Sequence, residues 1–143
     1  MKTIIIYNTT TGNTKAIANK MKDILEKYNH KCEVFRDKEI KNDIQSNPQY
    51  FNFYGLICLG SCTHGGQPAI SFMSFINSIK SYDLEGKDLV CFSSSGIPGI
   101  WKATCNKIMK SLPEMNHIGN FGCSFKNYDS TMKEFEELVK IIK

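Results

Sequence analysis

Apolar positions along this chain follow two alternating rhythms. Short runs that are apolar at nearly every position give way to longer stretches whose apolar residues return every three or four positions. The first rhythm suits a strand covered on both faces, and the second a helix with one buried stripe. Their repeated alternation predicts a parallel sheet with helices on both faces, an α/β architecture.

The first strand is predicted at Lys2 to Tyr7, around Ile4, Ile5 and Ile6. A helix from about Asn13 then sets Ile17, Met21, Ile24, Leu25 and Tyr28 on one face. Lys31 to Arg36 reads as the second strand. Residues 38–53 are polar and broken by Pro48, with Ile40, Ile44, Tyr50 and Phe51 thinly spaced, which predicts a short, poorly defined helix. The third strand spans Tyr54 to Gly60. A Gly-rich loop leads from it to Pro68, predicted in the first turn of the next helix because its missing N–H would be unpaired there. Phe72, Met73, Ile76 and Ile79 form that helix's stripe.

Lys87 to Ser93 is the fourth strand. The helix after it carries Trp101, Cys105, Ile108, Met109 and Leu112 and stops before Pro113. Ile118 to Phe125 is the fifth strand. The last helix is predicted from Asp129 or Ser130, where Thr131 and Glu134 have capping-box spacing, with Met132, Phe135, Leu138, Val139 and Ile142 inside. Five strands and five helices, with no linker or repeat between them, predict one domain over residues 1–143.

Composition narrows the functional classes. A chain of 143 residues can bury an adequate core without disulfides or metal. No stretch approaches the roughly 20 apolar residues of a membrane span, and Met1-Lys2 leads straight into the first strand without a signal-peptide pattern. The expectation is a cytoplasmic protein. The six cysteines stand singly, with no metal-like spacing, and most read as small apolar fillers. The net charge of +4 comes from dispersed lysines without interleaved aromatics, so nucleic acid is not an expected partner.

In a doubly wound sheet, ligands sit beyond the carboxyl ends of the strands where the winding direction reverses, which directs attention to the loops starting at Asn8, Ser61 and Ser93. The first reads Asn8-Thr9-Thr10-Thr11-Gly12-Asn13-Thr14. Free N–H groups at a helix N-terminus stabilise a phosphate without an arginine, and Thr9, Thr11 and Thr14 can add hydroxyl donors. The same residues would also suit a turn that merely caps the helix.

Thr9-x-Thr11-Gly12-x-Thr14 after the first strand resembles the phosphate loop of the flavodoxin family, and the five-strand layout extends the resemblance over essentially the whole chain. It implies a doubly wound five-stranded parallel sheet of order 2-1-3-4-5, an FMN cofactor and single-electron transfer between protein partners. Thr9, Thr10, Thr11, Gly12, Asn13 and Thr14 would hold the phosphate. Ser61, Cys62, Thr63, His64, Gly65 and Gly66 would form the inner side of the ring site, with His64 where flavodoxins place an aromatic residue or Met. The resemblance further implies that the Gly65 carbonyl turns toward flavin N5. Ser94, Ser95, Gly96 and Ile97 would meet the pyrimidine edge and outer face, with Ile97 where a Tyr or Trp is usual. Trp101 either swings over the ring or anchors a helix in the core. Cys62 is either a redox-sensing thiol or a small filler.

No carboxylate lies in the three loops, whereas Lys15 and Lys102 adjoin them. Positive charge eases the addition of electrons, which predicts a less negative low-potential couple than in acidic flavodoxins and partners with acidic docking faces. A response-regulator receiver is excluded because the strands end Tyr7-Asn8 and Leu59-Gly60, without its acidic cluster. A small tyrosine phosphatase is excluded because no arginine follows Cys62 in its loop. An FMN-dependent reductase or quinone reductase and a flavin-free interaction module stay open beside the carrier. The short chain favours the carrier, and a monomer is the default.

Overall fold

The structure is a computed structural model that describes residues 2–142; Met1 and Lys143, the ends of the predicted domain, lie outside the described residues. Its elements in chain order are β1 (Lys2–Tyr7), α1 (Asn13–Lys27), β2 (Lys31–Arg36), α2 (Asp37–Gln45), a 3-10 turn (Tyr50–Phe53), β3 (Leu56–His64), β4 (Gln67–Pro68), α3 (Ile70–Ile79), β5 (Asp88–Ser95), α4 (Trp101–Ser111), β6 (Asn116–Ser124) and α5 (Tyr128–Ile141). The sheet order is β2-β1-β3-β5-β6, and all four of these pairings are parallel. This is the expected 2-1-3-4-5 order of five long strands, with β4 as an addition.

Alternation along each strand explains why the strands are apolar throughout. Ile4 and Ile6 face one layer with Ile57, Leu59, Cys91, Phe72, Ile76 and Ile108. Ile5 and Tyr7 face the other with Cys58, Val90, Phe92, Ile17, Met21, Leu25 and Phe135. Both layers are closed, so no strand position of β1 after Lys2 reaches water. Among the described residues, no helix is long and apolar enough to cross a membrane.

Four local expectations change. The weak region after β2 forms a regular helix, α2, which buries Ile40 and Ile44, and Phe51 fills the core from the 3-10 turn beyond Pro48. α3 buries Phe75 as well as Phe72, Ile76 and Ile79, whereas Met73 is only half-buried. Pro68 is not in α3. It lies on β4, which pairs antiparallel with the end of β3 through Thr63↔Pro68 and His64↔Gln67. Gly65 and Gly66 form the two-residue turn between them with φ of 57° and 78°, the left-handed pair that this tightest type of hairpin requires. Finally, Thr131 does not cap α5. The helix starts earlier, at Tyr128, and the buried Thr131 hydroxyl accepts the Gly122 N–H of β6 at 3.1 Å.

Candidate functional site

The three loops chosen from the sequence meet at the carboxyl end of the sheet. Thr10 and Thr11 with Asn13, Cys62 with Thr63 and His64, and Ser94 with Ser95 and Gly96 together line a cleft of about 230 Å³. β1, β3 and β5 are neighbours in the sheet, so residues more than eighty positions apart converge there.

The first loop turns on Gly12, which has φ of 92° with open space around it. That conformation is left-handed and favours glycine. The Gly12 N–H donates to Thr9 Oγ1 at 2.9 Å, which closes the loop on itself. Gly12 is also the N-cap of α1, so no side chain caps that helix, and its first turn contains no acidic residue. The threonines therefore do not act as a cap. The free N–H groups of the first turn stay available to an anion.

Two of the expected phosphate residues brace the loop instead of lining the cleft. Thr9 accepts from Gly12, and its carbonyl accepts from Arg36 Nη2 at 2.9 Å. Thr14 is fully buried, and its hydroxyl shares a 2.9 Å hydrogen bond with Ser94 Oγ, locking the first loop to the third. Asn13 reaches across to α5, where Tyr128 Oη donates to its Oδ1 at 3.3 Å.

The second loop is mostly strand. Ser61 is buried and outside the cleft; its hydroxyl donates to the Cys62 carbonyl at 2.8 Å and accepts the Ala69 N–H at 3.0 Å, fixing the entry to α3. Thr63 Oγ1 joins Ser93 at 2.8 Å and Thr104 at 2.9 Å. Cys62 is more than a filler: its sulfur lies 3.4 Å from Thr10 Oγ1 and 3.2 Å from His64 Nε2, and donates to Asn8 Oδ1 at 3.6 Å. The other five thiols do behave as fillers. Burial pushes Cys32 and Cys105 up to about 12 and raises Cys58, Cys91 and Cys123, which keeps them protonated and inert at neutral pH.

The third loop divides. Ser94 and Ser95 are buried at the cleft wall, with Ser95 Oγ donating to the Ile97 carbonyl at 2.7 Å. Gly96 is exposed at the rim, and the Ile97 side chain, 62% exposed, does not line the cleft. Trp101 takes the core position. Its ring lies so close to Gly122 that a Cβ there would overlap it. A polar hollow of about 310 Å³ opens behind the third loop, beside Trp101, Lys102, Asn127 and Glu134.

Two residues escaped sequence reasoning. Arg36 closes β2 beside Tyr7, with its guanidinium against the first loop and its Nε buried without a partner. Asp37, 4% exposed, accepts from Asn8 Nδ2 at 3.1 Å and from the Lys38 N–H at 2.9 Å. A carboxylate thus stands behind the first loop although none lies within it. Arg36 ends the neighbouring strand and Asp37 begins α2, and only the β1–β2 pairing brings them here.

An uncapped helix N-terminus and a fixed hydroxyl loop suit a phosphorylated ligand, and the short side chains of Ser94, Ser95 and Gly96 suit the edge of a planar ring. Comparison with known proteins agrees. The sequence model of the Flavodoxin family matches residues 5–110. In backbone, the chain is similar to a flavodoxin from the domain Archaea, at 21% identity over 97% of this chain and 94% of that one, with a TM-score of 0.77. Flavodoxin 1 from Bacillus cereus gives the same TM-score of 0.77, at 19% identity over 100% of both chains. The rubredoxin oxygen:oxidoreductase of Desulfovibrio gigas gives 0.82 at 15% identity, where the likeness covers 99% of this chain but 35% of that larger one. No curated protein matches the chain in sequence.

Proposed function

This chain belongs to the flavodoxin family, whose members bind a flavin, and from that premise we propose that it holds one FMN across the three loops and carries single electrons between protein partners. The observation that carries this reading is the convergence of Thr10, Thr11, Asn13, Cys62, Thr63, His64, Ser94, Ser95 and Gly96 on one cleft at the uncapped end of α1.

Each region then has its part. The free N–H groups of Asn13 and Thr14 at the start of α1 and the hydroxyls of Thr10 and Thr11 would hold the phosphate, while Thr9, which takes the Gly12 N–H, and Thr14 through its hydroxyl keep the loop in shape. Ser94, Ser95 and Gly96 let the backbone approach the ring edge. His64 on its hairpin flanks the inner side, and Ile97 stands at the outer rim. FMN, when bound, supplies a centre that accepts and releases electrons one at a time. At about 230 Å³ the cleft is smaller than the roughly 300–1,000 Å³ usual for pockets that enclose a ligand.

Lys15 and Lys102 are exposed on the loop-bearing helices. They favour electron uptake and an acidic docking face on the partner. One sheet with two closed core layers supports a single domain, for which a monomer is the default, and free, buried cysteines suit the cytoplasm.

The test is direct. Purified protein is expected to be yellow, to release one FMN per chain on denaturation, and to pass electrons to a small acidic redox protein at a rate that falls with salt. A colourless protein indifferent to added FMN would overturn the reading in favour of an interaction module. The hollow beside Trp101 and Lys102 is the one observation favouring an FMN-dependent reductase, since it offers room for a small substrate next to the third loop. Rapid NAD(P)H oxidation without any protein partner would decide for that alternative.

A further inference from the structure

Arg36 is the chain's only arginine, and its guanidinium makes no direct ion pair with the carboxylates near it, Asp37 and Glu39. Among the described residues the ion pairs are Lys2–Glu33, Lys22–Glu26, Lys27–Glu136 and Lys140–Glu137, none of which involves Arg36. Its neighbours on α2 are engaged elsewhere: Glu39 accepts the Arg36 backbone N–H at 3.4 Å, and Asp37 accepts from Asn8 and Lys38. The guanidinium spends one donor on the Thr9 carbonyl, while Nε is buried and unpaired. A cation held in this way, half-buried and without a direct ion pair, gains from a further anion nearby.

We infer that Arg36 is the positioning residue that makes the first loop select a phosphorylated flavin over the same flavin without phosphate. The reason lies in the Thr9–Thr10 peptide. A trans peptide is planar, so its C=O and N–H point in opposite directions. Arg36 holds the Thr9 carbonyl on the β2 side, which directs the Thr10 N–H away from β2, and Thr10 lines the cleft. The charged donor also polarises the peptide, strengthening that N–H for an anion. A phosphate in the loop supplies a negative charge for that polarised N–H, whereas a ring alone does not. Lysine would keep the charge but not the fixed planar fork.

This inference rests on the FMN reading, and the test separates the two. Dissociation constants for FMN and for riboflavin are measured by quenching of flavin fluorescence on the full chain, for the unsubstituted protein, Arg36→Gln and Arg36→Lys. Arg36→Gln is expected to weaken FMN about tenfold and to leave riboflavin unchanged, with Arg36→Lys between. If both flavins weaken by the same factor, or neither does, Arg36 only supports the fold and the inference is overturned. If the unsubstituted chain binds neither flavin, the FMN reading falls and takes this one with it. Should Arg36→Gln not melt cooperatively, inorganic phosphate is titrated into the unsubstituted chain and Arg36→Lys while the Thr10 amide is followed by NMR. A shift smaller in Arg36→Lys supports the inference, and equal shifts overturn it.

Discussion

At the first loop, Gly12, Thr9, Thr14 and Arg36 tie the backbone to itself, to β5 and to β2. At the opposite rim, His64, Gly96 and Ile97 are exposed, and the His64 ring shares a side-chain hydrogen bond with Cys62. On the proposed reading, the end assigned to the phosphate is therefore tied down by its own hydrogen bonds, while the side chains at the end assigned to the ring are exposed. Preorganised groups lose little entropy on binding, which gives the fixed end the larger share of affinity and leaves the open end for contact with a partner. The comparison yields substitutions of decreasing effect that should separate the two ends.

The largest effect is expected where both ends share a foundation. Gly60 on β3 accepts the Asn8 N–H through its carbonyl at 2.9 Å, and a Cβ at Gly60 would overlap the Phe92 ring of β5. Gly60→Val should destabilise the protein by about 3 kcal/mol, read by urea unfolding, and should weaken FMN and riboflavin together. Loss of one flavin only would show that the two ends do not stand on the same strands.

Thr14→Val comes next. It removes the buried hydroxyl shared with Ser94 and leaves Ser94 Oγ unsatisfied, at a cost of about 2 kcal/mol. The bond joins the two ends, so the substitution should weaken FMN and also widen the spread of ring environments in flavin fluorescence lifetimes. An unchanged lifetime distribution would mean that the ring end takes no order from the phosphate end.

The same contrast decides what was legible from sequence. The first loop could be singled out because its hydroxyls and glycine are consecutive, and one strand-to-helix turn suffices to place them at the cleft. The two-residue turn at Gly65-Gly66 carried an equally local signal, yet a Gly-rich loop was the expectation because Pro68 suggested a helix start. Pairing of Thr63 with Pro68 took precedence. Thr131 and Glu134 had capping-box spacing, but the hydroxyl went to Gly122 of β6, a partner that no local pattern announces. Arg36 and Asp37 escaped for the same reason. Their role exists only in the register of β2 against β1, where Arg36 sits opposite Tyr7. The fold was legible because both core layers are written in local periodicity. The bracing of the site was not, because each brace joins distant segments.

Gly12→Ala tests the fixed end by backbone alone. A Cβ there meets nothing within 4 Å, so the cost arises only from φ of 92° and should be about 1 kcal/mol. The expected result is a severalfold loss of FMN affinity, measured by fluorescence quenching, with riboflavin unaffected. Equal losses for both flavins would show that the loop's shape also sets the ring position.

Ile97→Trp probes the open end and should have the smallest effect. Ile97 is 62% exposed, and its carbonyl, not its side chain, holds the loop by accepting from Ser95 and Ser124. The side chain can therefore be exchanged without disturbing those bonds. An indole at the rim can lie against a flavin ring, and such stacking contributes about 0.5 kcal/mol beyond area burial, a roughly twofold gain in affinity. FMN and riboflavin should gain equally, because the contact involves only the ring they share. Stronger flavin quenching with tighter binding of both would establish that the outer face stands open in the natural chain. A gain for FMN alone would instead mean that residue 97 communicates with the phosphate loop, and the division between a fixed and an open end would not hold.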